Sequence, residues 1–175
     1  MPQNGSFLLS VKMVKSNGVI SMVEFHNFAE MFAKSIEITE PWRIEKASFD
    51  ESAKQVHVYV SAKKTAKYAC PICGELCERY DDEEEERVWQ HGDVVYFPCF
   101  IHCKRPRVKC KKDGFRVVDA PWARRGSRFT LLFESYAMLL LEAMTVNEAR
   151  KLLRISHTAL THIMTYWVNR GIEKQ

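Results

Sequence analysis

Long apolar runs are missing from this sequence of 175 residues. A helix needs about 20 consecutive apolar residues to cross a bilayer, and no stretch reaches that length, which argues against an integral membrane protein. A secretory leader is also missing, because Lys12, Lys15 and Asn17 interrupt the apolar N-terminal stretch and no small-residue cleavage site follows it. We therefore expect a cytoplasmic protein, whose six cysteines serve as metal ligands or free thiols rather than as disulfides.

The charged residues are unevenly distributed along the chain. Residues 1–100 contain 11 Lys and Arg against 16 Asp and Glu, whereas residues 101–175 contain 15 against 6. A basic C-terminal part is expected of a protein that binds a polyanion, although an ordinary solvated basic surface gives the same count. The acidic run DDEEEE, residues 81–86, is most simply a solvated loop.

Local patterns predict a helix and a hairpin in residues 22–64. Apolar side chains recur at helical spacing over residues 23–36, which predicts a helix with one apolar face. Alternation of apolar and polar residues predicts strands over residues 42–50 and 54–62, joined by a turn. We expect residues 1–21, which precede these patterns, to be a disordered extension.

The segment YACPICGEL, residues 68–76, contains two cysteines at a spacing typical of zinc sites. Two residues separate Cys70 from Cys73, and Gly74 permits the tight backbone that follows the second ligand. Two buried structural cysteines are the plainer interpretation, and a redox pair is a third. The redox interpretation lacks support, because the strand and helix alternation of a thioredoxin-like fold does not surround the motif.

A second turn of similar layout supplies candidate partners for that pair. CKKDG, residues 110–114, again has a cysteine, two spacers and a glycine, but Asp113 stands where cysteine or histidine is expected. Asp113 is our first choice for the fourth ligand of a Zn²⁺ ion, with Cys103 and His102 behind it. Residues 65–118 would then be a small β-rich zinc-finger module stabilised by its metal. The predicted ligands are Cys70, Cys73, Cys110 and Asp113.

Arginines crowd the segment PWARRGSRFT, residues 121–130. Pro121 and Gly126 indicate a loop, and we treat residues 119–128 as a basic linker. A plain basic connector is one interpretation. A phosphate clamp is the other, because guanidinium groups donate hydrogen bonds in a fixed fork that suits phosphate. The candidate phosphate contacts are Arg124, Arg125 and Arg128.

Residues 129–175 have the layout of a helix-turn-helix module. A short helix over residues 146–153 precedes a three-residue turn and a second helix, on which Leu160 and Ile163 mark an apolar face. An ordinary helical hairpin within a core would share this pattern. Base contacts are expected from the polar face of the second helix, which carries His157, Thr158, Thr161, His162 and Thr165. Further phosphate contacts are expected from Arg150, Lys151 and Arg154. The predicted fold is thus α+β, a small β-rich zinc-binding module followed by an all-α helix-turn-helix module.

The order of these motifs resembles the N-terminal part of bacterial insertion-sequence transposases of the ISL-three family. The resemblance rests on CPICG, RVWQHGD, RPRVKC and APWARRGSRFT followed by a helix-turn-helix, and it covers about residues 22–174. It implies a zinc finger, a DNA-binding helical module and then a large catalytic domain of RNase-H-like fold. The sequence ends at GIEKQ, where that domain would begin, and it departs from the family pattern at Asp113.

The resemblance therefore implies a DNA-binding fragment of a transposase, without catalytic residues of its own. Its partner would be double-stranded DNA, at the terminal repeats of a transposon, and a homo-oligomer is compatible with this reading. The alternatives are a free-standing zinc-containing helix-turn-helix transcriptional regulator and a repressor derived from a transposase. An effector-binding or dimerisation region would favour the regulator, and the sequence offers no sign of one.

Overall fold

The computed structural model describes residues 28–36 and 38–173. Its first element is helix α1, Phe28–Ser35, in the later part of the segment for which the sequence predicts a helix. The earlier part of that prediction, and the disordered extension predicted for residues 1–21, lie outside the described residues. Among the helices described, none is both long and apolar enough to cross a membrane.

Two four-stranded sheets follow α1. Their strands are β1 Trp42–Asp50, β2 Gln55–Ala62, β3 Lys67–Ala69, β4 Leu76–Asp82, β5 Arg87–Val94, β6 Phe97–Cys103, β7 Pro106–Cys110 and β8 Gly114–Val117. We call the sheet ordered β1-β2-β6-β5 the large sheet and the sheet ordered β3-β4-β7-β8 the ribbon sheet. The predicted hairpin is present as β1 and β2, which pair antiparallel.

The large sheet contains strands from two segments that were predicted to be separate, residues 22–64 and residues 65–118. β2 pairs in parallel with β6, so that Val58 lies beside Ile101. Residues 22–64 are therefore not a unit apart from residues 65–118, because strands from both ranges share one sheet. The hairpin needs this second pair of strands because two strands alone cannot bury an apolar face. In the large sheet, Val58 and Ile101 are almost inaccessible to solvent.

The predicted basic linker is a packed part of the core. Trp122 is buried and meets Trp42 and Trp89 edge-on, with ring centroids 5.0 and 5.6 Å apart. The Leu131 backbone N–H donates to the Trp122 carbonyl oxygen at 2.7 Å, which ties the segment to the next helix. Residues 119–128 thus connect the large sheet to the helices through packed contacts.

Three helices complete the described chain and pack around one small core. They are α2 Leu131–Ala143, α3 Val146–Leu153 and α4 His157–Ile172. The side chains of Thr130, Thr145 and Ser156 cap them, and Thr145 forms a capping box with Glu148. Ala149 is fully buried, which allows the helices to approach closely. The core consists of Phe133, Ala137, Ala149, Leu153, Leu160 and Ile163.

Strand β5, which contains the WQHGD motif, connects the large sheet to the helices. The Gln90 backbone N–H donates to the Arg128 carbonyl oxygen, and the Gln90 carbonyl oxygen accepts from the Thr130 N–H, at 2.9 and 3.0 Å. The Gln90 side chain donates to the Leu153 carbonyl oxygen at the end of α3. His91 Nδ1 lies 2.9 Å from Thr130 Oγ1, the hydroxyl that caps α2. Gln90 and His91 therefore help to fix the orientation of the helices.

Burial of His91 predicts that acid destabilises this junction. Desolvation lowers the pKa of His91 from 6.5 to about 4, so the folded protein favours the neutral ring, whose Nδ1 lies at hydrogen-bond distance from the Thr130 hydroxyl. Because the folded pKa lies below the unfolded one, this stabilisation is complete above about pH 6.5 and is lost as pH falls toward 4. The loss should total about 3 kcal/mol in the free energy of unfolding.

Urea unfolding across that pH range would measure the effect, with His91→Gln as the comparison. A glutamine side chain can still accept from Thr130 but does not titrate, so the variant should lose less stability than the wild type between the two ends of the range. Identical pH profiles for the two proteins would contradict this account of His91.

Candidate metal centre and nucleic-acid interface

Four side chains from two turns of the ribbon sheet form a candidate metal centre. One ligand atom each from Cys70, Cys73, Cys110 and Asp113 lies within 4.8 Å of all the others. Cys73 Sγ is 3.5 Å from Cys110 Sγ, and Asp113 Oδ2 lies 3.3 and 3.4 Å from the sulfurs of Cys70 and Cys110. The structure therefore brings together the four residues for which the sequence predicts a metal site.

The two turns have matching backbones, which explains why the side chains converge. In each, a glycine four residues after the first ligand adopts a left-handed conformation, Gly74 with φ +75° and Gly114 with φ +73°. The Gly74 N–H donates to the Cys70 carbonyl oxygen at 2.9 Å and closes the first turn. Asp113 occupies in the second turn the position that Cys73 occupies in the first.

The donor set and its spacing fit a tetrahedral zinc ion. With Zn–S near 2.3 Å and Zn–O near 2.0 Å, tetrahedral geometry separates two sulfurs by about 3.8 Å and a sulfur from an oxygen by about 3.5 Å. The distances between these side chains approach both values. Three thiolates and a carboxylate would fill all four positions, so the ion would serve folding, because a catalytic zinc keeps one position open.

Hydrogen bonds shift the pKa values of two thiols of the centre in opposite directions. Hydrogen bonding with Asp113 raises the pKa of Cys73 to about 12 in the absence of metal. The backbone N–H of Asp113 instead lowers the pKa of Cys110, because an amide hydrogen stabilises the thiolate. Of these two thiols, Cys110 is thus the better prepared to bind a cation.

The alternative ligands named from the sequence lie elsewhere. His102 contacts His57 and Glu86 on the large sheet, with ring nitrogens 2.8 Å from each partner. Cys103 is buried in the core, where desolvation raises the pKa of its thiol to about 12. Neither belongs to the cluster, so Asp113 is the fourth member that the geometry provides.

Helix α4 presents the polar face expected of a reading helix. Leu160 and Ile163 are buried against α2 and α3, whereas the side chains along the opposite face are exposed or partly exposed. The Thr161 hydroxyl donates to the His157 carbonyl oxygen at 3.0 Å and lies 3.4 Å from His157 Nδ1, which leaves its methyl group for a partner. The face comprises His157, Thr158, Thr161, His162 and Thr165.

Arg124, one of the predicted phosphate contacts, forms an ion pair within the chain. Arg124 Nε lies 2.9 and 2.8 Å from the two carboxylate oxygens of Glu134, a residue with 0% exposure. Its guanidinium group also covers the Tyr166 ring, 4.2 Å from the centroid. Arg124 therefore neutralises a buried carboxylate. Nothing in the segment PWARRGSRFT indicates this, because Glu134 lies beyond it, on α2.

Arg154 is likewise committed to a contact within the chain. It adopts a left-handed conformation at the end of α3, and its guanidinium group lies 2.7 Å from Asp93 on β5. A second hydrogen bond reaches the Tyr96 carbonyl oxygen. This residue ties the helices to the large sheet, and a phosphate contact would have to compete with this half-exposed ion pair. Arg125 makes only a loose, exposed ion pair with Asp119.

Ion pairs also neutralise part of the basic sequence around residue 106. Asp81 pairs with Arg107, Asp82 with Arg79, and Glu83 with Arg105. The first three residues of the acidic run 81–86, for which the sequence predicts a solvated loop, are therefore partners of nearby arginines, whereas Glu86 pairs with His102. The count of basic residues overstates the free positive charge in this part of the molecule.

Comparisons with known proteins bear on both modules. Residues 66–113 match the model of the zinc finger of the transposases of IS204, IS1001, IS1096 and IS1165, and residues 118–168 match the helix-turn-helix domain of transposase family ISL3. Two relatives, each a transposase for insertion sequence element IS1557 from Mycobacterium tuberculosis (strains CDC 1551 / Oshkosh and ATCC 25618 / H37Rv), are 28% identical over 117 residues.

That match covers 65% of this chain and 26% of each relative, so the chain spans about a quarter of their length. No solved structure matches the chain. The zinc-finger match contains the four clustered ligands, and the helix-turn-helix match contains α2, α3 and most of α4. By these two matches, the chain contains the zinc-finger and helix-turn-helix domains found in insertion-sequence transposases of the ISL3 type.

Proposed function

We propose that this chain binds double-stranded DNA at the terminal repeats of a transposon, with α4 in the major groove. The observation that carries the proposal is the exposed polar face of α4, set on a buried apolar face. An α-helix fits the major groove, where each base pair presents a distinct pattern of donors and acceptors. The 16 residues of α4 extend over about 24 Å, enough to reach several base pairs.

The arrangement of α3 and α4 supports the same docking. In a helix-turn-helix the first helix crosses the phosphate backbone while the N-terminal residues of the second contact base edges. Here α3 has eight residues, the turn is Arg154 to Ser156, and His157 begins α4. Imidazole and hydroxyl groups can donate to and accept from base edges.

Phosphate binding falls to the basic side chains that the fold leaves available. Lys151 and Arg128 are exposed, and no described carboxylate lies within ion-pair distance of either. Arg150 is hydrogen-bonded to Asn147 at 2.9 Å, a neutral partner that it can exchange for phosphate. Arg125 is a weaker candidate because of Asp119. These contacts would set the register of the helices on DNA and most of the affinity.

We assign zinc a structural part in this function. Cys70, Cys73, Cys110 and Asp113 would hold the ion, and the ion would keep the two turns of the ribbon sheet together. Strand transfer by the complete transposase would depend on parts that the relatives contain beyond this quarter of their length. For this chain the proposed activity is DNA binding.

Selection of bound sequences from a random duplex pool would identify the site, and variants would then test the reading helix. Replacing Thr161 or His162 by alanine should weaken binding to the selected site by about 1–3 kcal/mol for each lost base contact. The same changes should leave binding to random duplex almost unaltered. Asn169→Ala, on an exposed position at the far end of α4, is the matched control and should bind as the wild type does.

A phosphate contact should behave differently in the same assay. Lys151→Gln should weaken binding to all sequences alike and reduce the slope of affinity against salt by about 0.9, as expected for one phosphate lost. Should Thr161→Ala and His162→Ala both retain the full preference for the selected site, α4 is not the reading helix.

A further inference from the structure

The outer face of the ribbon sheet carries exposed aromatic side chains. Strand pairing places Lys67 opposite Glu78 and Lys109 opposite Phe115, and these side chains point away from the buried Tyr68, Cys77 and Val108 on the other side. Tyr80 lies at an irregularity in β4 and contacts Phe115 on the same outer side. We define this ribbon face by Lys67, Leu76, Glu78, Tyr80, Lys109 and Phe115.

The rings of the ribbon face remain largely in solvent. Tyr80 is 60% exposed and Phe115 is 49% exposed, although their ring centroids are only 4.8 Å apart. Beside Tyr80, an open cleft of about 490 Å³ is lined by apolar and charged side chains, among them Leu76, Lys67, Lys109, Lys111, Glu75 and Glu78. Two adjacent exposed rings next to an open cleft are more than scattered surface apolar residues, and they indicate a binding surface.

The charge around the rings favours an anionic partner. Lys67 lies near Glu78 and Lys112 near Glu75, at 3.9 and 4.0 Å. Lys109 and Lys111 have no described carboxylate within ion-pair distance, and the Lys109 ammonium group instead lies 5.5 Å from the centroid of Phe115. Two positive charges are therefore available directly beside the exposed rings.

We propose that the ribbon face binds a single-stranded segment of nucleic acid. Bases would stack on Tyr80 and Phe115, while Lys109 and Lys111 would contact the phosphates between them. Sites for unpaired strands combine these two features, aromatic rings for base faces and basic groups along the backbone. An intact duplex cannot use the rings, because its base faces are stacked on one another. The surface is thus distinct from α4, and its binding does not depend on whether α4 reads DNA.

The test uses the zinc-loaded full chain and a fluorescent oligothymidine of about 15 nucleotides, a length suited to such sites. Wild-type protein should bind the strand in a fluorescence anisotropy titration. Tyr80→Ala combined with Phe115→Ala should weaken that binding about tenfold or more, as expected when base stacking is lost. Tyr80→Phe should keep the affinity, because the ring face is retained.

Phe49→Ala provides the matched control, since Phe49 is also an exposed ring, paired with Phe97 on the large sheet at 4.9 Å. It should bind the oligonucleotide as the wild type does. Combined Lys109→Gln and Lys111→Gln should reduce the salt dependence by roughly 0.7 for each phosphate contact removed. Zinc content and thermal melting would check that each variant folds. If the ring variant loses its metal, the lysine variant tests the inference in its place.

Three results would overturn the inference: no binding of the strand by the wild type, unchanged binding by the double ring variant, or an equal loss in Phe49→Ala. If the ring variant changes its sedimentation but still binds the oligonucleotide as the wild type does, the ribbon face is a protein interface and the inference is wrong. Binding of each variant to the duplex selected by the wild-type protein separates this inference from the proposed function. The ring variant should keep duplex affinity, whereas His162→Ala should lose it and still bind the single strand.

Discussion

Replacing Cys70 by serine is expected to abolish metal binding and to unfold the ribbon sheet. Zinc binding at structural sites of small domains is worth about 10–16 kcal/mol near neutral pH, which exceeds the stability of most domains. The ribbon sheet has short strands, with three residues in β3 and four in β8, and apart from an exposed Lys112–Glu75 ion pair at 4.0 Å the contacts described between its two turns are those of the metal ligands. Without the ion, three thiols and a carboxylate would have to share protons at close range.

The unfolding should stop at the ribbon sheet. Strands β5 and β6 fall within residues 65–118 but belong to the large sheet, in which β6 pairs with β2. Val58, Trp89 and Ile101 are buried in that sheet. Amide hydrogen exchange should therefore show lost protection in β3, β4, β7 and β8, with protection retained in β2 and β6. Elemental analysis of the same sample should find about one zinc per wild-type chain and none in the variant.

Two substitutions in the same turns serve as controls. Ile72→Ser alters an exposed residue between the two cysteines and should keep both the metal and the exchange pattern. Asp113→His replaces an oxygen ligand by a nitrogen ligand and should hold zinc more tightly against a chelator. A protein that is fully folded while free of metal would contradict the assignment of this centre.

Local geometry explains why the metal ligands could be predicted from the sequence. A cysteine, two spacers and a second ligand followed by glycine specify a turn almost completely, because only glycine readily adopts the left-handed backbone found at Gly74 and Gly114. The caps at Thr130 and Ser156 could be predicted for the same reason, since each acts on an amide three residues away. The match of Asp113 to Cys73 also lies within one short motif.

Contacts between distant segments could not be predicted in this way. The parallel pairing of β2 with β6 joins residues about 43 positions apart, with β3, β4 and β5 between them in the chain. The alternation of Val58 and Val60 showed that one face is buried, but not which strand lies alongside. Asp93 and Arg154 are 61 residues apart, and each looks like an ordinary surface charge in sequence. Their pairing becomes visible only when β5 and the end of α3 meet.

The basic segment PWARRGSRFT shows the same limit for a charged residue. Its three arginines look equivalent in sequence, yet Arg124 is paired with a buried carboxylate while Arg128 is exposed. The partner, Glu134, occupies a helical position surrounded by apolar residues, and a lone charge there could have indicated a buried ion pair. Side chains from the packed segment before α2 and from α4 both donate hydrogen bonds to that carboxylate on α2.

Glu134→Gln is accordingly expected to destabilise the helices strongly. The carboxylate accepts from Arg124 Nε, from Ser127 Oγ at 2.6 Å and from Trp167 Nε1 at 2.8 Å, so it joins α2 to the packed segment before it and to α4. Glutamine removes the charge that balances Arg124 and turns an NH₂ group toward at least one donor. Removing one partner of a buried ion pair typically costs about 3–5 kcal/mol. We therefore expect the free energy of unfolding of the variant to fall by about that amount.

Urea unfolding followed by circular dichroism would measure this loss, with Glu142→Gln as control. Glu142 is on the same helix but exposed, and its replacement should change stability by no more than about 0.5 kcal/mol. A double variant with Arg124→Met should lose less than the sum of the two single losses, because the second change removes the charge that the first leaves unbalanced. Strict additivity, or a Glu134→Gln variant as stable as the wild type, would mean that the helices are held by their apolar core alone.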